Sequence, residues 1–361
     1  MNDEALPEPD RVPGAPHPRE AARVIGQDAA VADFLAAARA HRLHHAWLIS
    51  GPRGTGKATL AWNIAKWLLS GAGSSDQLAI PAEDPVIRRI RALSEPRLHL
   101  VRRPVDEKTR RLRAEITVDE IRRLQGFFHM SAAEGGRRVA IIDAADEMNP
   151  AAANALLKLL EEPPHEAVLL LVAHQPARLL PTIRSRCREL RLHPLGPDDI
   201  GQVLRDLGLD HDAAQLAALS GGSIGEALRL AGQDGLALYQ RITGLFADHP
   251  QMDRRAAAGL AELAAGRAGA EGDPFDLVVT LLDRFLTRAA RTGLLGAPLP
   301  EAAEGEAAVL TRIAPDPAAA RIWADAQAEL SARARAGRAV NLDPSALVLD
   351  MLVGLANQPS A

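Results

Sequence analysis

GPRGTGKAT, residues 51–59, is the stretch on which the reading of this chain turns. From Gly51 to Lys57 it fits the first seven positions of the P-loop pattern G-x-x-x-x-G-K-[ST]. The eighth position should carry the hydroxyl that binds magnesium, and Ala58 stands there. In a P-loop, backbone N–H groups wrap phosphates at a helix N-terminus. Gly51, Gly54 and Gly56 permit that turn, and Lys57 would reach the β- and γ-phosphates. Thr59 brings a hydroxyl one place late. Its side chain points about 100° round the helix from position 58, so it cannot simply replace the missing group. The competing reading is a tight strand-to-helix turn that holds no ligand.

Working outward, "HAWLIS" before the loop is an apolar run of strand length. After it, Leu60, Ile64 and Leu68 fall four apart, one stripe on a helix. The loop thus joins a strand to a helix N-terminus, the context the motif requires. Upstream, "VADFLAAARAHRL" has helical spacing. Residues 71–96 read as irregular. "RLHLVRR" alternates like a strand, "TVDEIRRLQGFF" is a capped helix, and "RRVAIIDAAD" is a strand ending in Asp143. "NPAAANALLKLLEEPP" is a helix stopped by paired prolines, "AVLLLVA" a buried strand, and "RELRL" an alternating one. Strands alternating with helices predict an α/β fold: a parallel sheet with helices on both faces.

From about residue 196 the strands stop and the rest reads as helices. The expected organisation is a disordered, acidic, proline-rich leader over 1–20 and an α/β nucleotide-binding-type domain over 21–194. A helical lid over 195–240 and an all-α domain over 241–361 follow.

The chain has 361 residues, 47% apolar and 24% charged, ordinary for a soluble globular protein. Aromatics are only 3%. Lysine occurs four times, at 57, 66, 108 and 158, and the remaining basic charge is arginine. A lysine kept inside the phosphate-loop pattern is therefore less apt to be accidental. The net charge of −4 argues against a nucleic-acid-coating protein. The single cysteine, Cys187, excludes an internal disulfide and a multi-cysteine zinc site. No apolar run reaches the roughly 18 residues of a membrane span, and the N-terminus has no secretory core, which suggests a cytoplasmic location.

A P-loop's partner is an acid at the end of a neighbouring strand, which holds magnesium through water. Asp143 suits that part. Ala144 follows it where ATPases of this architecture usually carry a glutamate, and Asp146 and Glu147 read as cap or surface charges. The arginine-rich stretch 102–113 reads as a solvated loop. His44 and His45, adjacent on a strand, would face opposite ways and would not chelate one metal. Cys187 is expected to pack as a small apolar residue. Trp47, Trp62, Trp67 and Trp323 are expected as core or domain-contact residues.

"RVIGQ" at 23–27, "HHAWLISGPRGTGKATLA", "VDEIRRL", "VAIIDAADEMNPAAANALLKLLEEPP" and "LLPTIRSRC" occur in this order. Together they resemble the AAA+ clamp-loader family of bacterial DNA polymerase III, over roughly 23–230. The resemblance implies an AAA+ α/β domain, a three-helix lid and a helical collar that joins subunits into a ring. It implies that Arg186, in "SRC", is an arginine finger that enters a neighbouring subunit's ATP site. It also aligns Gly225, in "GGSIGEAL", with the lid arginine that senses the γ-phosphate. A magnesium ligand, a water-orienting base and a phosphate sensor are thus all missing, as in a subunit that scaffolds and does not hydrolyse ATP. The implied partners are the motor subunits (gamma/tau), the clamp-opening delta subunit and, through the complex, the sliding clamp and primed DNA, with no membrane. The chain would belong to a nucleotidyltransferase holoenzyme without being an active ATPase. No cofactor is required on this reading, although the P-loop leaves ATP or ADP binding open. Family members often carry a four-cysteine zinc module after the P-loop helix; the stretch 70–96 has no cysteine, so no zinc is expected. The rival reading is an active DNA-dependent ATPase, such as a motor subunit or a branch-migration helicase.

Overall fold

The computed structural model describes residues 8, 15–40, 42–71, 77–106, 108–129, 135–269 and 272–358. They form two compact units, one running to Leu195 and including Ser223–Gly225, the other comprising Gly196–Gly222 and the chain from Glu226.

The first unit holds a five-stranded parallel sheet. Its strands are β1 (Ala46–Ser50), β2 (Leu98–Arg102), β3 (Arg138–Asp143), β4 (Ala167–Ala173) and β5 (Arg188–Arg191), in the order β2-β3-β4-β1-β5. Between them run α1 (Asp28–Arg39), α2 (Lys57–Leu69), α3 (Pro85–Arg91), α4 (Val118–His129), α5 (Pro150–Glu161) and the single turn α6 (Pro181–Arg184). β1 and β4 are interior strands buried at every residue, which is why they read as unbroken apolar runs. The edge strand β5 buries only Leu190. The pleat sends alternate residues to opposite faces. Trp47, Ile49, Ile141, Leu170 and Val172 meet Phe34 of α1 and Leu60, Ile64 and Trp67 of α2. Leu48, Ile142, Leu169 and Leu171 meet Ile121 and Leu124 of α4 and Leu156 and Leu160 of α5. This is the parallel α/β architecture, with helices on both faces of the sheet, anticipated from the strand–helix alternation.

Three local expectations are corrected. The stretch read as a disordered leader is structured where it is described. Pro18–Glu20 forms a 3-10 turn, and His17, 3% exposed, sets its ring edge-on to Trp62. Glu8 pairs with Arg19 at 2.7 Å and with Arg102 at 3.1 Å. A carboxylate between two guanidiniums ties down a segment whose composition suggests none; residues 1–7 and 9–14 lie outside the described residues. Second, 71–96 is not wholly irregular. Asp84 caps α3 by accepting from the Val86 N–H, and Ile87 and Ile90 are buried; residues 72–76 lie outside the described residues. Third, His44 and His45 precede β1, so strand alternation does not govern them, and their rings stack at 4.4 Å.

The second unit is helical: α7 (Pro197–Asp206), α8 (Ala213–Ser220), α9 (Ile224–Gly232, whose first two residues pack with the first unit), α10 (Gly235–Leu245), α11 (Arg254–Ala264), α12 (Pro274–Leu295), α13 (Glu306–Ile313), α14 (Pro317–Ala339) and α15 (Pro344–Ala356). Asp212, Asp253, Asp273, Asp316 and Asp343 each cap a helix by accepting backbone N–H bonds, the ordinary way to satisfy the orphan donors of a first turn. Its core includes Phe246, Phe275, Phe285 and Trp323. No helix of the described residues is long and apolar enough to cross a membrane.

Candidate functional site

The glycine loop leaves the C-terminal end of β1 and feeds the first turn of α2, so the motif lies where a phosphate-binding loop requires. Gly51, Gly54 and Gly56 all have positive φ, at 141°, 75° and 90°, a region that side chains oppose. Gln27 staples the loop from below: its amide donates to Thr55 O at 3.1 Å and to His193 O at 2.8 Å, and accepts from His193 N at 3.2 Å.

Lys57 is 2% exposed and its ammonium donates to Pro52 O at 2.5 Å. Burial pushes its pKa down to about 8, while the charges of Asp143 and Asp146 pull the other way. Asp143, 7% exposed, ends β3 and stands in register with Arg102 of β2. The fold therefore brings together the lysine and strand acid that the sequence placed 86 positions apart.

The neighbouring positions carry no chemistry. Ala58 adds only a methyl group to the first turn of α2, and Ala144 is 3% exposed. Thr59 is the next residue of α2, turned away by about 100°. Gly225 also reaches this loop: Ile224 N–H donates to Gly54 O at 2.8 Å, and a Cβ on Gly54 would lie 3.3 Å from the Gly225 nitrogen. A glycine cradle with a buried lysine fits a phosphate. The same positions fit magnesium poorly, because no hydroxyl follows Lys57 and no second acid follows Asp143.

Asp146 and Glu147 do structural work. Asp146 accepts from the backbone N–H groups of His174 and Gln175 at 3.0 and 2.9 Å. Glu147 pairs with Arg103 at 2.8 Å and Arg53 at 3.6 Å. His174, just after β4, was not singled out from sequence. Burial, and then the Lys57 charge, push its pKa down to about 4, so its ring is neutral at pH 7. Its signal was positional: it follows β4, whose neighbour β3 ends in Asp143. In the basic stretch, Arg102 and Arg103 are paired, while Lys108, Arg110 and Arg111 are exposed on a turn organised by Asp106.

Arg186 lies elsewhere on this unit, in the turn between α6 and β5. Its Nη1 donates to Thr182 O at 3.0 Å, its Nη2 lies 3.0 Å from Glu161 Oε1, and its side chain is 37% exposed. Cys187 beside it packs against the α4–α5 face of the sheet, and burial pushes its thiol up to about 12. Trp47, Trp62 and Trp67 sit in the core of the first unit and Trp323 in that of the second, so none offers a stacking face. Among the described residues, no group of three or more His, Cys, Asp or Glu could hold a metal ion.

Residues 26–196 match the family model described as "DNA polymerase III, delta subunit". The chain is 38% identical over 205 residues to the DNA polymerase III subunit delta' of Pseudomonas aeruginosa, covering 52% of this chain and 56% of that one. It is 35% identical over 197 residues to the subunit delta' of Bacillus subtilis, covering 54% and 56%. The matched region thus spans a little over half the length of these relatives. A solved DNA polymerase III gamma subunit-related protein from Thermotoga maritima superposes with a TM-score of 0.40 at 18% identity, over 90% of this chain and 99% of that one. Residues 26–196 are thus similar to the DNA polymerase III delta-subunit family, and about half of the chain is similar to proteins named DNA polymerase III subunit delta'.

Proposed function

We propose that this chain is the non-hydrolysing scaffold of a clamp loader. It closes one end of an arc of motor subunits (gamma/tau), works beside a clamp-opening delta subunit, and lends Arg186 to the ATP site of the adjoining motor subunit. The assembly would place the sliding clamp on primed DNA in the cytoplasm. The observation that carries this reading is the P-loop's surroundings: a buried Lys57 and strand acid Asp143 flanked by Ala58, Ala144 and Gly225. Hydrolysis needs a metal ligand, a positioned water and charge stabilisation on the γ-phosphate, and each of the three positions that would supply them lacks a functional group.

Arg186, in contrast, is accessible and planar, suited to meeting phosphate oxygens from outside. The second unit supports a joining role, since Leu294, Leu295 and Leu299, within six positions of one another, are 65%, 75% and 87% exposed, and large exposed apolar side chains are suited to a protein partner. No cofactor is required for this role. The test is ATP turnover by the purified chain, which is expected to be absent. Turnover abolished by Lys57→Ala would overturn the reading and restore the active-ATPase alternative.

A further inference from the structure

The last residue of α5 is Glu161, followed by Glu162, Pro163 and Pro164. A helix C-terminus carries partial negative charge, so acids there are unfavourable. Two acids side by side at this point call for a compensating cation. The prolines fix where the helix stops, and the ring of His45 holds the preceding carbonyl, with Nε2 3.1 Å from Leu160 O. The carboxylate of Glu161 therefore projects from a fixed point on the scaffold.

What it meets is Arg186, at 3.0 Å. The second anchor is the Thr182 carbonyl in α6, which also accepts from Ser185 Oγ at 3.2 Å. A guanidinium has five N–H donors in a rigid plane. Two anchors on different elements set that plane and leave donors for an incoming anion. An unanchored arginine would search many rotamers, and fixing one of them costs side-chain entropy.

We infer that Glu161 is the positioning residue of Arg186: it holds the guanidinium aimed outward, ready for the phosphate of a bound nucleotide on a neighbouring subunit. This inference rests on the reading of Arg186 as an arginine finger. Glu161 touches no reacting atom. Its contribution is orientation, which shows in kcat and leaves ATP binding by the neighbour unchanged.

The experiment uses the assembled complex. Its motor subunits carry alanine at their own finger positions, so that turnover comes from the site facing Arg186. Glu161→Ala is expected to lower kcat of this site by about tenfold, within the range that misplacement produces, with KM for ATP and assembly by gel filtration unchanged. Glu161→Gln, whose amide oxygen still accepts from Nη2, is expected to retain at least half of the wild-type kcat. Arg186→Ala is the control and is expected to silence the site. If Arg186→Ala is silent but Glu161→Ala stays within twofold of wild type, the positioning role is wrong. A loss that appears in KM or in assembly, or a Glu161→Gln variant as slow as Glu161→Ala, also overturns it. If Arg186→Ala itself leaves turnover intact, it is the finger reading that fails.

Discussion

Lys57 donates its ammonium proton to the carbonyl oxygen of Pro52, five residues back, across 2.5 Å. The loop that would cradle a phosphate thus grips its own lysine, and the fold depends on the loop whether or not a nucleotide is bound.

The three glycines of that loop should differ in a way the geometry dictates. A Cβ on Gly51 would lie 2.5 Å from Leu192 O, and one on Gly54 would collide with Ser223 Oγ, whereas one on Gly56 would meet nothing within 4 Å. Gly56→Ala is expected to cost about 1–2 kcal/mol, the penalty of a left-handed backbone alone. Gly51→Ala and Gly54→Ala add overpacking and are expected to cost about 3 kcal/mol or more. Urea midpoints of the three variants check this; equal losses would show that crowding has no part in it.

Lys66 offers a pH signature. It is 3% exposed, donates to Ala21 O at 2.8 Å, and is pushed down to about 8, first by burial and then by the Arg91 charge. Its unfolded value is near 10.4. Between these two values the unfolded chain binds a proton that the folded chain has released, so this residue makes stability rise with pH across that window. Below pH 8 the fold bears the full cost of a buried ammonium. Lys66→Met should gain stability relative to wild type at pH 7, by about 3 kcal/mol more than at pH 10.5. Cys187 works in the opposite direction, because its folded thiol is pushed up to about 12, but it is common to both proteins and cancels in the comparison. A stability difference that does not change with pH would refute the assignment.

Much of this was legible in the sequence because the signals are local. The apolar runs of β1 and β4, Asn149 and Pro150 opening α5, and the prolines closing it all act within a few residues. What escaped depends on contacts between distant segments. Gln27 holds His193 from 166 positions away, and Glu161 meets Arg186 across two elements. α3 has only Ile87 and Ile90 to bury among its arginines, too short a stripe to show a period. The leader read as disordered from its prolines and acids, yet Glu8 finds Arg19 and Arg102. Composition cannot foresee a single carboxylate with two partners.

In the second unit, Glu306 is completely buried and takes four donors. These are Tyr239 OH at 2.5 Å, Arg288 Nε and Nη2 at 2.6 and 2.8 Å, and the Ala302 N–H at 2.7 Å. Removing one partner of such a pair strands the other. Arg288→Met is expected to cost about 3–5 kcal/mol, and Tyr239→Phe about 1.5–3 kcal/mol. The double variant Arg288→Met with Glu306→Met should be less damaging than Arg288→Met alone, because no charge is left stranded. A double-mutant cycle by chemical denaturation measures this coupling, and simple additivity would mean that the pair is not coupled.

Arg186 and Lys57 provide the sharpest contrast, since a working ATPase and a finger donor rank them in opposite order. On the proposed reading, Arg186→Ala removes a guanidinium from the one motor site that abuts this subunit. A finger contributes on the order of 10³ to 10⁵ in rate at its site, so that site should fall silent. The other sites keep fingers from motor subunits, so total ATPase should fall by less, while clamp loading, which needs the sites to act together, should fall further. Arg186→Lys should fail as well, because an ammonium does not reproduce the planar fork. Assembly should be unchanged, since Arg186 is a single half-exposed side chain. Lys57→Ala disturbs a site with no magnesium-binding hydroxyl and no water-orienting base, and its effect on loading should be small once folding is matched. Clamp loading by complexes reconstituted with each variant decides the matter. The proposal is wrong if Arg186→Ala loads clamps at the unmutated rate, or if Lys57→Ala proves the more damaging of the two.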